Sequence, residues 1–377
     1  MKKQRIVIKV GTNVLQSENG KLDYNLIRDL AEQISNISEK GYQTVFVSSG
    51  AVGAGRELIS FHEEKNQILQ GQMMAAVGQV RLMQIYSDFF LEHQIVIAQV
   101  LVTRTDFGER VSYLNIRNTL DGLLDAGVVP IINENDVVAT DELSPQFGDN
   151  DKLAVFISAL VGADALFFLT IAPGLLTGLQ PHVSQKSQLI DTVTKLNDEI
   201  LNYCEPSTSS GGKGGMASKV QAAGMAMSFG IDAYIVAGKM DNVVLRILEG
   251  DKLGTHFVAQ GEKVNSYRKW LAAGAQSKGS VSIDKGAENA LYNKKSLLAA
   301  GITKVHGNFE AKDLVTIYNQ SHIKIGTGRI QIAARDLKNQ VAEYQKSRAD
   351  SNRSQQITSK AVVSRDYLFL IEPSSSQ

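Results

Sequence analysis

Over its first 260 residues the chain alternates between two hydrophobic patterns. Short apolar runs rich in β-branched residues, at 6–10, 44–47, 95–102, 128–132, 165–169 and 233–236, read as strands. Longer segments of helical period lie between them. Leu26, Ile27, Leu30, Ile34 and Ile37 recur on one face, and Gly41 stands where a helix C-cap is expected. Segments 73–90, 113–126, 152–161 and 216–229 share that period. This alternation predicts βαβ units built into an α/β, three-layer αβα sandwich, with a mainly parallel sheet covered by helices on both faces.

The pattern changes between residues 260 and 280. Residues 260–267 are polar, and Gln276-Ser277-Lys278-Gly279-Ser280 reads as a linker or turn. Beyond it come short strand-like runs at 280–283, 314–318, 323–325, 329–332 and 367–371, punctuated by Gly301, Gly307, Gly326 and Gly328. One helix-like segment lies at 290–300, and a polar stretch occupies about 346–360. A small, mostly-β second domain is the expectation. The boundaries read as an α/β domain at 1–260, a linker at 261–277, the second domain at 278–371 and a disordered tail at 372–377.

Length supports that division, because 377 residues exceed what one hydrophobic core usually holds. The 39 basic and 39 acidic residues cancel, so no global field draws the chain to nucleic acid or membrane. Cys204 is the only cysteine, which rules out an intrachain disulfide and fits a reducing, cytoplasmic setting. Lys9 interrupts the apolar run at 6–8, which is too short for a signal peptide, and no stretch reaches the length of a membrane span.

Candidate chemistry collects at the predicted strand ends. The run Asn133-Glu134-Asn135-Asp136 comes directly after the apolar segment 128–132, and Gly148-Asp149-Asn150-Asp151 lies shortly beyond. In open α/β sheets that edge binds ligands. Such groups can grip a polar zwitterion or supply oxygen ligands to a divalent metal, although an Asx-rich turn would look the same. Lys9 ends a strand that runs into Gly11, where a lysine beside exposed N–H groups can hold a phosphoryl group. The alternative is an edge-strand lysine that discourages aggregation. Ser48-Ser49-Gly50-Ala51-Val52-Gly53-Ala54-Gly55 reads equally as an anion-binding turn or a tight structural one. Gly211-Gly212-Lys213-Gly214-Gly215-Met216-Ala217-Ser218-Lys219 runs straight into a helix, so phosphate binding is favoured over a flexible linker. A lysine in a first helical turn costs stability unless an anion is near. Together these form a kit for phosphoryl transfer. None of the six His lies in these motifs, so neither a Ser–His–Asp triad nor a zinc site is suggested.

Taken in order, Ile6-Val7-Ile8-Lys9-Val10-Gly11-Thr12-Asn13, Val47-Ser48-Ser49-Gly50-Ala51-Val52-Gly53-Ala54-Gly55-Arg56, Val129-Pro130-Ile131-Ile132-Asn133-Glu134-Asn135-Asp136, Gly148-Asp149-Asn150-Asp151 and Gly214-Gly215-Met216-Ala217-Ser218-Lys219 resemble the bacterial glutamate 5-kinases of the amino-acid kinase superfamily. Met74-Ala75-Ala76-Val77-Gly78-Gln79 and Leu114-Asn115-Ile116-Arg117-Asn118-Thr119 match as well. The resemblance covers about 4–275, and residues 278–371 look more loosely like a PUA domain. It implies ATP-dependent phosphorylation of the γ-carboxylate of L-glutamate, with Mg2+ carried mainly by ATP and no protein metal ligand assigned. Lys9 and Lys219 would neutralise the transferring phosphoryl group, and Asp151 would orient them. Ser49, Gly50, Asn135, Asp136 and Asn150 would surround glutamate, with Asp136 suited to its ammonium. Gly11, Thr170, Ile171 and the run Lys213, Gly214, Gly215, Met216, Ala217, Ser218 and Lys219 would contact the nucleotide. Feedback inhibition by proline, a homo-oligomer and hand-over to glutamyl phosphate reductase are further implications.

Two positions depart from the family's pattern. Ile171 stands where Leu-Thr-Asp is usual, and Lys213 stands where the loop has threonine. Three rival readings remain. The first is another kinase of the superfamily, acting on aspartate, N-acetylglutamate, carbamate or a nucleotide. The second is RNA binding by the PUA-like domain, whose basic subset is Lys294, Lys295, Lys304, Lys312, Lys324, Arg329, Arg335 and Lys338. The third is a regulatory protein without catalysis.

Overall fold

The computed structural model describes residues 3–17, 19–60, 66–139, 150–177, 187–204, 215–260, 277–349 and 361–370. The chain divides into two compact units, Met1–Asp106 with Val111–Val264, and Asn265–Gln377 with Phe107–Arg110. The expected linker and the Ser-rich tail lie outside the described residues, apart from residue 277.

The first unit runs β1 (Arg5–Val10), α1 (Thr12–Leu15), α2 (Tyr24–Glu39), β2 (Gln43–Ser48), α3 (Ala51–Arg56), α4 (Gln67–Glu92), β3 (Ile97–Val102), α5 (Arg104–Gly108), α6 (Arg110–Asp125), β4 (Val129–Glu134), α7 (Asn150–Val161), β5 (Ala165–Thr170), β6 (Thr192–Val193), α8 (Asp198–Asn202), α9 (Met216–Ser228), β7 (Asp232–Ala237), α10 (Val243–Leu248) and β8 (Thr255–Phe257). The strands form one sheet in the order β3-β4-β2-β1-β5-β7-β8-β6. Every pairing is parallel except β7 with β8. The expected mainly parallel α/β sheet is therefore present. Strands β2 and β5 are buried throughout and β1 everywhere but Arg5, which is why they read as unbroken apolar runs.

Strand order places the site. The chain leaves β1 toward β2 and later returns to the opposite flank of β1 with β5. That reversal opens a crevice beyond the C-terminal ends of these strands, where open sheets take their ligands. Lys9, Ser49, Asn135 and Thr170 all lie at or just past those ends.

Several boundaries differ from expectation, and two of them matter. Helix α7 begins at Asn150, so Asn150 and Asp151 open a helix rather than close a loop. Helix α4 starts at Gln67, where Asn66 caps it by accepting from the N–H groups of Ile68 and Leu69. Helix α2 agrees with its pattern: Asp23 caps it, Leu26, Ile27, Leu30, Ile34 and Ile37 face inward, and Gly41 follows its C-cap with φ +91°. Helix α10, the short β6 and the antiparallel β8 are not legible in the hydrophobic pattern.

The second unit contains β9 (Gly279–Ile283), α11 (Lys285–Tyr292), β10 (Leu297–Leu298), β11 (Ile302–Gly307), β12 (Leu314–Tyr318), β13 (Lys324–Ile330), α12 (Ala334–Ala349) and β14 (Ala361–Leu370). Its six strands form a second sheet, β10-β14-β13-β12-β9-β11, in which only β9 and β12 pair in parallel. The mostly-β expectation holds, with corrections. The segment 290–300 is not one helix. Helix α11 starts earlier, capped by Asp284, and ends before Lys294, whose φ of +61° cannot continue it. Residues 297–298 then pair with β14. The runs at 323–325 and 329–332 are one strand, β13. Gly326 interrupts the apolar pattern because an added Cβ would lie 2.4 Å from the Phe369 carbonyl oxygen. The polar stretch near 346 is the end of α12.

Helix α4 lies directly against α3. A Cβ at Gly78 would sit 1.8 Å from the Ala51 carbonyl oxygen and 2.3 Å from the Gly55 nitrogen. This backbone-to-backbone approach fixes α4 beside the turn after β2. Gly78→Ala should therefore destabilise the protein by roughly 1–3 kcal/mol through overpacking. Urea unfolding at constant slope measures it, and an unchanged midpoint would show that the helices separate freely.

Candidate active site

One carboxylate holds two lysines at the centre of the crevice. Asp151, the second residue of α7, is fully buried. Its Oδ1 lies 2.6 Å from Lys9 Nζ, and its Oδ2 lies 3.1 Å from Lys219 Nζ. Lys9 is the next-to-last residue of β1, and Lys219 lies in the first turn of α9. Both lysines are buried. Burial pushes the Asp151 carboxyl upward, but the two ammonium charges and their hydrogen bonds outweigh it and hold it below the usual carboxylate range. The start of α7 adds its positive dipole end to the same effect. Among the described residues the cluster sets two cations against one anion, on rigid elements at the switch point.

This arrangement refines the reading of Lys219. Its charge at the positive end of α9 requires a nearby anion, and the structure supplies Asp151. The helix itself begins at Gly215 with no side-chain cap, and Met216, Ala217 and Ser218 are half-buried in its first turn. Lys213 and Gly214 lie outside the described residues. Gly11 opens α1, and a Cβ there would be in ordinary contact with Lys9 Nζ at 3.6 Å. Thr170 ends β5 buried, its carbonyl accepting from the Gly238 N–H. Ile171, one residue on, is 65% exposed.

On the other flank lies a network of carboxamides. Asn150 Nδ2 donates to Ser49 Oγ at 2.8 Å and to Asn133 Oδ1 at 3.0 Å. Asn133 Nδ2 donates to Gln79 Oε1 at 3.0 Å. The backbone at Ser49 donates to the Val10 carbonyl, tying β2's end to β1. Gly50 has φ +112°, a left-handed conformation that favours glycine. Tyr86 on α4 bonds Ser48 Oγ at 2.7 Å, and burial pushes its phenol well up, so it stays neutral. Asp136 is buried in the turn after β4. Asn135 is half-buried and serves that turn with its backbone, donating to Val102 and accepting from Val138 and Ala139.

The structure thus brings Lys9, Asp151 and Lys219 into one cluster and joins Ser49 to Asn150. The sequence reading missed Gln79 and gave Asn133 no role. Asn133 stood inside a quoted motif. Gln79 stood inside another, Met74-Ala75-Ala76-Val77-Gly78-Gln79, as a polar residue on the buried stripe of α4 between Ala75 and Leu82. Among the described residues, no three His, Cys, Asp or Glu side chains gather to hold a metal ion.

An anion-gathering lysine pair at the switch point of a parallel sheet, flanked by carboxamides, is the layout of a group-transfer enzyme acting on anionic substrates. Known proteins agree. The model of the amino acid kinase family matches residues 4–237, and that of the PUA domain matches 279–346. Similar relatives include the glutamate 5-kinase of Thermoanaerobacter sp. (strain X514), 39% identical over 88% of this chain and 89% of that protein. The glutamate 5-kinase of Streptococcus pneumoniae (strain 70585) is 39% identical over 89% of this chain and 91% of that protein. Among solved structures, UMP kinase from Bacillus anthracis aligns at a TM-score of 0.47 and 12% identity, over 70% of this chain and 99% of that one. The chain belongs to the amino acid kinase family and, within it, to the glutamate 5-kinases.

Replacing Asp151 with asparagine would leave two buried ammonium groups around a neutral amide. Asp151→Asn should cost roughly 3–5 kcal/mol at neutral pH, read from the urea midpoint. The folded carboxyl titrates below its ordinary value of 3.8, so its stabilisation is present above that value and fades as pH falls through the folded one. The stability gap between wild type and variant should stay constant down to about pH 5 and narrow below about pH 4. A gap that ignores acid would contradict the ion triad.

Proposed function

We propose that the protein transfers the γ-phosphoryl group of ATP to the side-chain carboxylate of L-glutamate, giving L-glutamyl 5-phosphate and ADP, the first step of proline biosynthesis. The observation that carries this reading is the Lys9–Asp151–Lys219 triad, set between a hydrogen-bonded carboxamide network and the glycine-capped start of α9. The carboxamide side takes the acceptor, and the α9 side takes the nucleotide.

The attacking carboxylate is ionised at neutral pH, so no general base is needed. An oxygen of that carboxylate bonds to the γ-phosphorus as the bond from phosphorus to the β,γ-bridging oxygen breaks, and its electrons leave with ADP. Charge spreads over the oxygens in passage, and Lys9 and Lys219 meet it. Asp151 holds both ammonium groups in place, so that positioning precedes the reaction. Asp136 faces the substrate ammonium, and Ser49, Gly50, Asn135 and Asn150 form its surroundings. Gly11, Thr170, the backbone at Ile171 and residues 213–219 receive the nucleotide. Mg2+ comes bound to the nucleotide phosphates, where it screens their charge.

The same reading takes in proline as a feedback inhibitor, a homo-oligomer, a cytoplasmic setting and delivery of the labile acyl phosphate to glutamyl phosphate reductase. No helix among the described residues is long and apolar enough to cross a membrane. RNA binding by the second unit is the weaker reading. Arg329, one of its basic subset, stacks on the Tyr367 ring at 3.6 Å.

Hydroxylamine trapping with ATP, Mg2+ and L-glutamate should give glutamate-dependent hydroxamate, with aspartate and N-acetylglutamate giving little. Lys9→Ala and Lys219→Ala should each lower kcat by roughly 10²–10³-fold. Asp136→Ala should chiefly raise the KM for glutamate. An unchanged kcat in Lys219→Ala would overturn the assignment of the triad to catalysis.

A further inference from the structure

The carboxamides of the acceptor pocket form a chain whose polarity is set from one end. A backbone N–H can only donate, and that of Glu134 donates to Asn133 Oδ1 at 2.9 Å. Asn133 therefore turns its Nδ2 toward α4, where Gln79 Oε1 accepts it at 3.0 Å. The same Asn133 Oδ1 accepts from Asn150 Nδ2 at 3.0 Å, and Ser49 Oγ accepts from that Nδ2 at 2.8 Å. Both N–H groups of Asn150 are thereby used. Its Oδ1, on a residue only 5% exposed, has no hydrogen-bond partner among the described residues.

A buried acceptor in an acceptor-substrate pocket calls for a donor. At neutral pH the two carboxylates of glutamate only accept, and its ammonium is the one group that donates. Asn150 Oδ1 is thus a place for the ammonium, the group that the proposed function also assigns to Asp136. The opposite orientation of Asn150 would present two N–H donors to a cation. What forbids it is the chain of amides behind it.

We propose that Gln79 is a positioning residue for the acceptor substrate: through Asn133 it holds Asn150 in the one amide orientation that offers an oxygen to the substrate ammonium. This deepens the glutamate reading and rests on it. Gln79 is suited to the task because its helix cannot drift. Gly78 beside it brings α4 onto the Ala51 carbonyl of α3, and Tyr86, seven residues on, grips Ser48. The same helix thus fixes the ends of β2 and β4 together. Without the Gln79 oxygen, Asn133 Nδ2 becomes a buried donor with nowhere to go. The Glu134 N–H opposes a flip of the Asn133 amide, so Asn133 must shift toward another acceptor, and Asn150, which donates to its Oδ1, loses its hold.

The test uses the full chain and two ligands, L-glutamate and glutarate, which keeps both carboxylates and lacks the ammonium. In Gln79→Leu the KM for glutamate should rise about tenfold or more, while kcat stays within about threefold and the KM for ATP within about twofold. The competitive inhibition constant of glutarate should move less than about twofold, because the lost contact is one it never made. Gln79→Glu should restore the glutamate KM, since a carboxylate also accepts from Asn133. An unchanged glutamate KM in Gln79→Leu overturns the proposal. So does an equal rise for glutamate and glutarate, which a merely structural role would give. If Gln79→Leu does not fold, Gln79→Met, with similar length and no amide, is read by the same criteria. A wild type that makes no hydroxamate from glutamate would instead overturn the proposed reaction, so the two failures are distinguishable.

Discussion

The active crevice depends on one buried carboxylate shared by two buried ammonium groups. None of the three is stable there alone, since an unpaired charge in that setting costs several kcal/mol, on the order of what a domain has to spare. Asp151 therefore ties β1, α7 and α9 to one another electrostatically. Among the described residues the tie sets two positive charges against one negative where β1 ends. An anionic ligand is the natural complement of that arrangement, and a phosphoryl group passing between two anions needs it most during transfer. On the proposed reaction, stability of the protein and stabilisation of the transferring group would draw on the same three side chains.

The two flanks of the triad are built differently. The flank proposed for the acceptor is made of regular elements locked by side-chain hydrogen bonds: β2 and the residue after it through Ser48 and Ser49, β4 through Asn133, α7 through Asn150 and α4 through Gln79 and Tyr86. The flank proposed for the nucleotide offers a helix start without a side-chain cap, a strand end whose carbonyl is already engaged, and an exposed isoleucine. Backbone groups and lysine charge suit phosphates, which every nucleotide carries. Oriented amides suit one small molecule.

The amino-acid sequence made the centre of this sheet legible because burial on both faces leaves uninterrupted apolar runs, as at Val45–Val47 within β2 and Leu166–Leu169 within β5. It hid α12, whose buried residues Leu337 and Val341 make too thin a stripe among polar neighbours. It hid β11 as well, an edge strand that is largely exposed along its length. The start of α7 was read as loop because Asx residues signal turns and helix starts alike, and only the packing of the residues after them separates the two. The lysines and carboxylates of the site were visible in the motifs, and their meeting was implied by family resemblance. Gln79 closed a quoted motif but drew no role, because a lone glutamine on the inward face of a helix looks like a tolerated core residue until its partner is seen.

That glutamine bears on how an acceptor can be chosen. Apolar pockets discriminate weakly, because one methylene more or less changes binding by only about 1–3 kcal/mol. A pocket with a buried acceptor left open discriminates more strongly, since a ligand that fails to satisfy it leaves the acceptor stranded. Aspartate carries the same charged groups as glutamate on a chain one methylene shorter. It cannot hold its ammonium on the carboxamide side and still bring its side-chain carboxylate to the lysine pair as far as glutamate can. N-acetylglutamate has the length, but its acylated nitrogen carries no positive charge and only one N–H for Asn150 and Asp136 together. On the proposed site both competitors would be opposed by the same two features, the spacing of β4's end from the triad and the orientation of one amide. Selectivity for the acceptor would then lie in the rigidity of the carboxamide chain as much as in the groups proposed to touch the substrate.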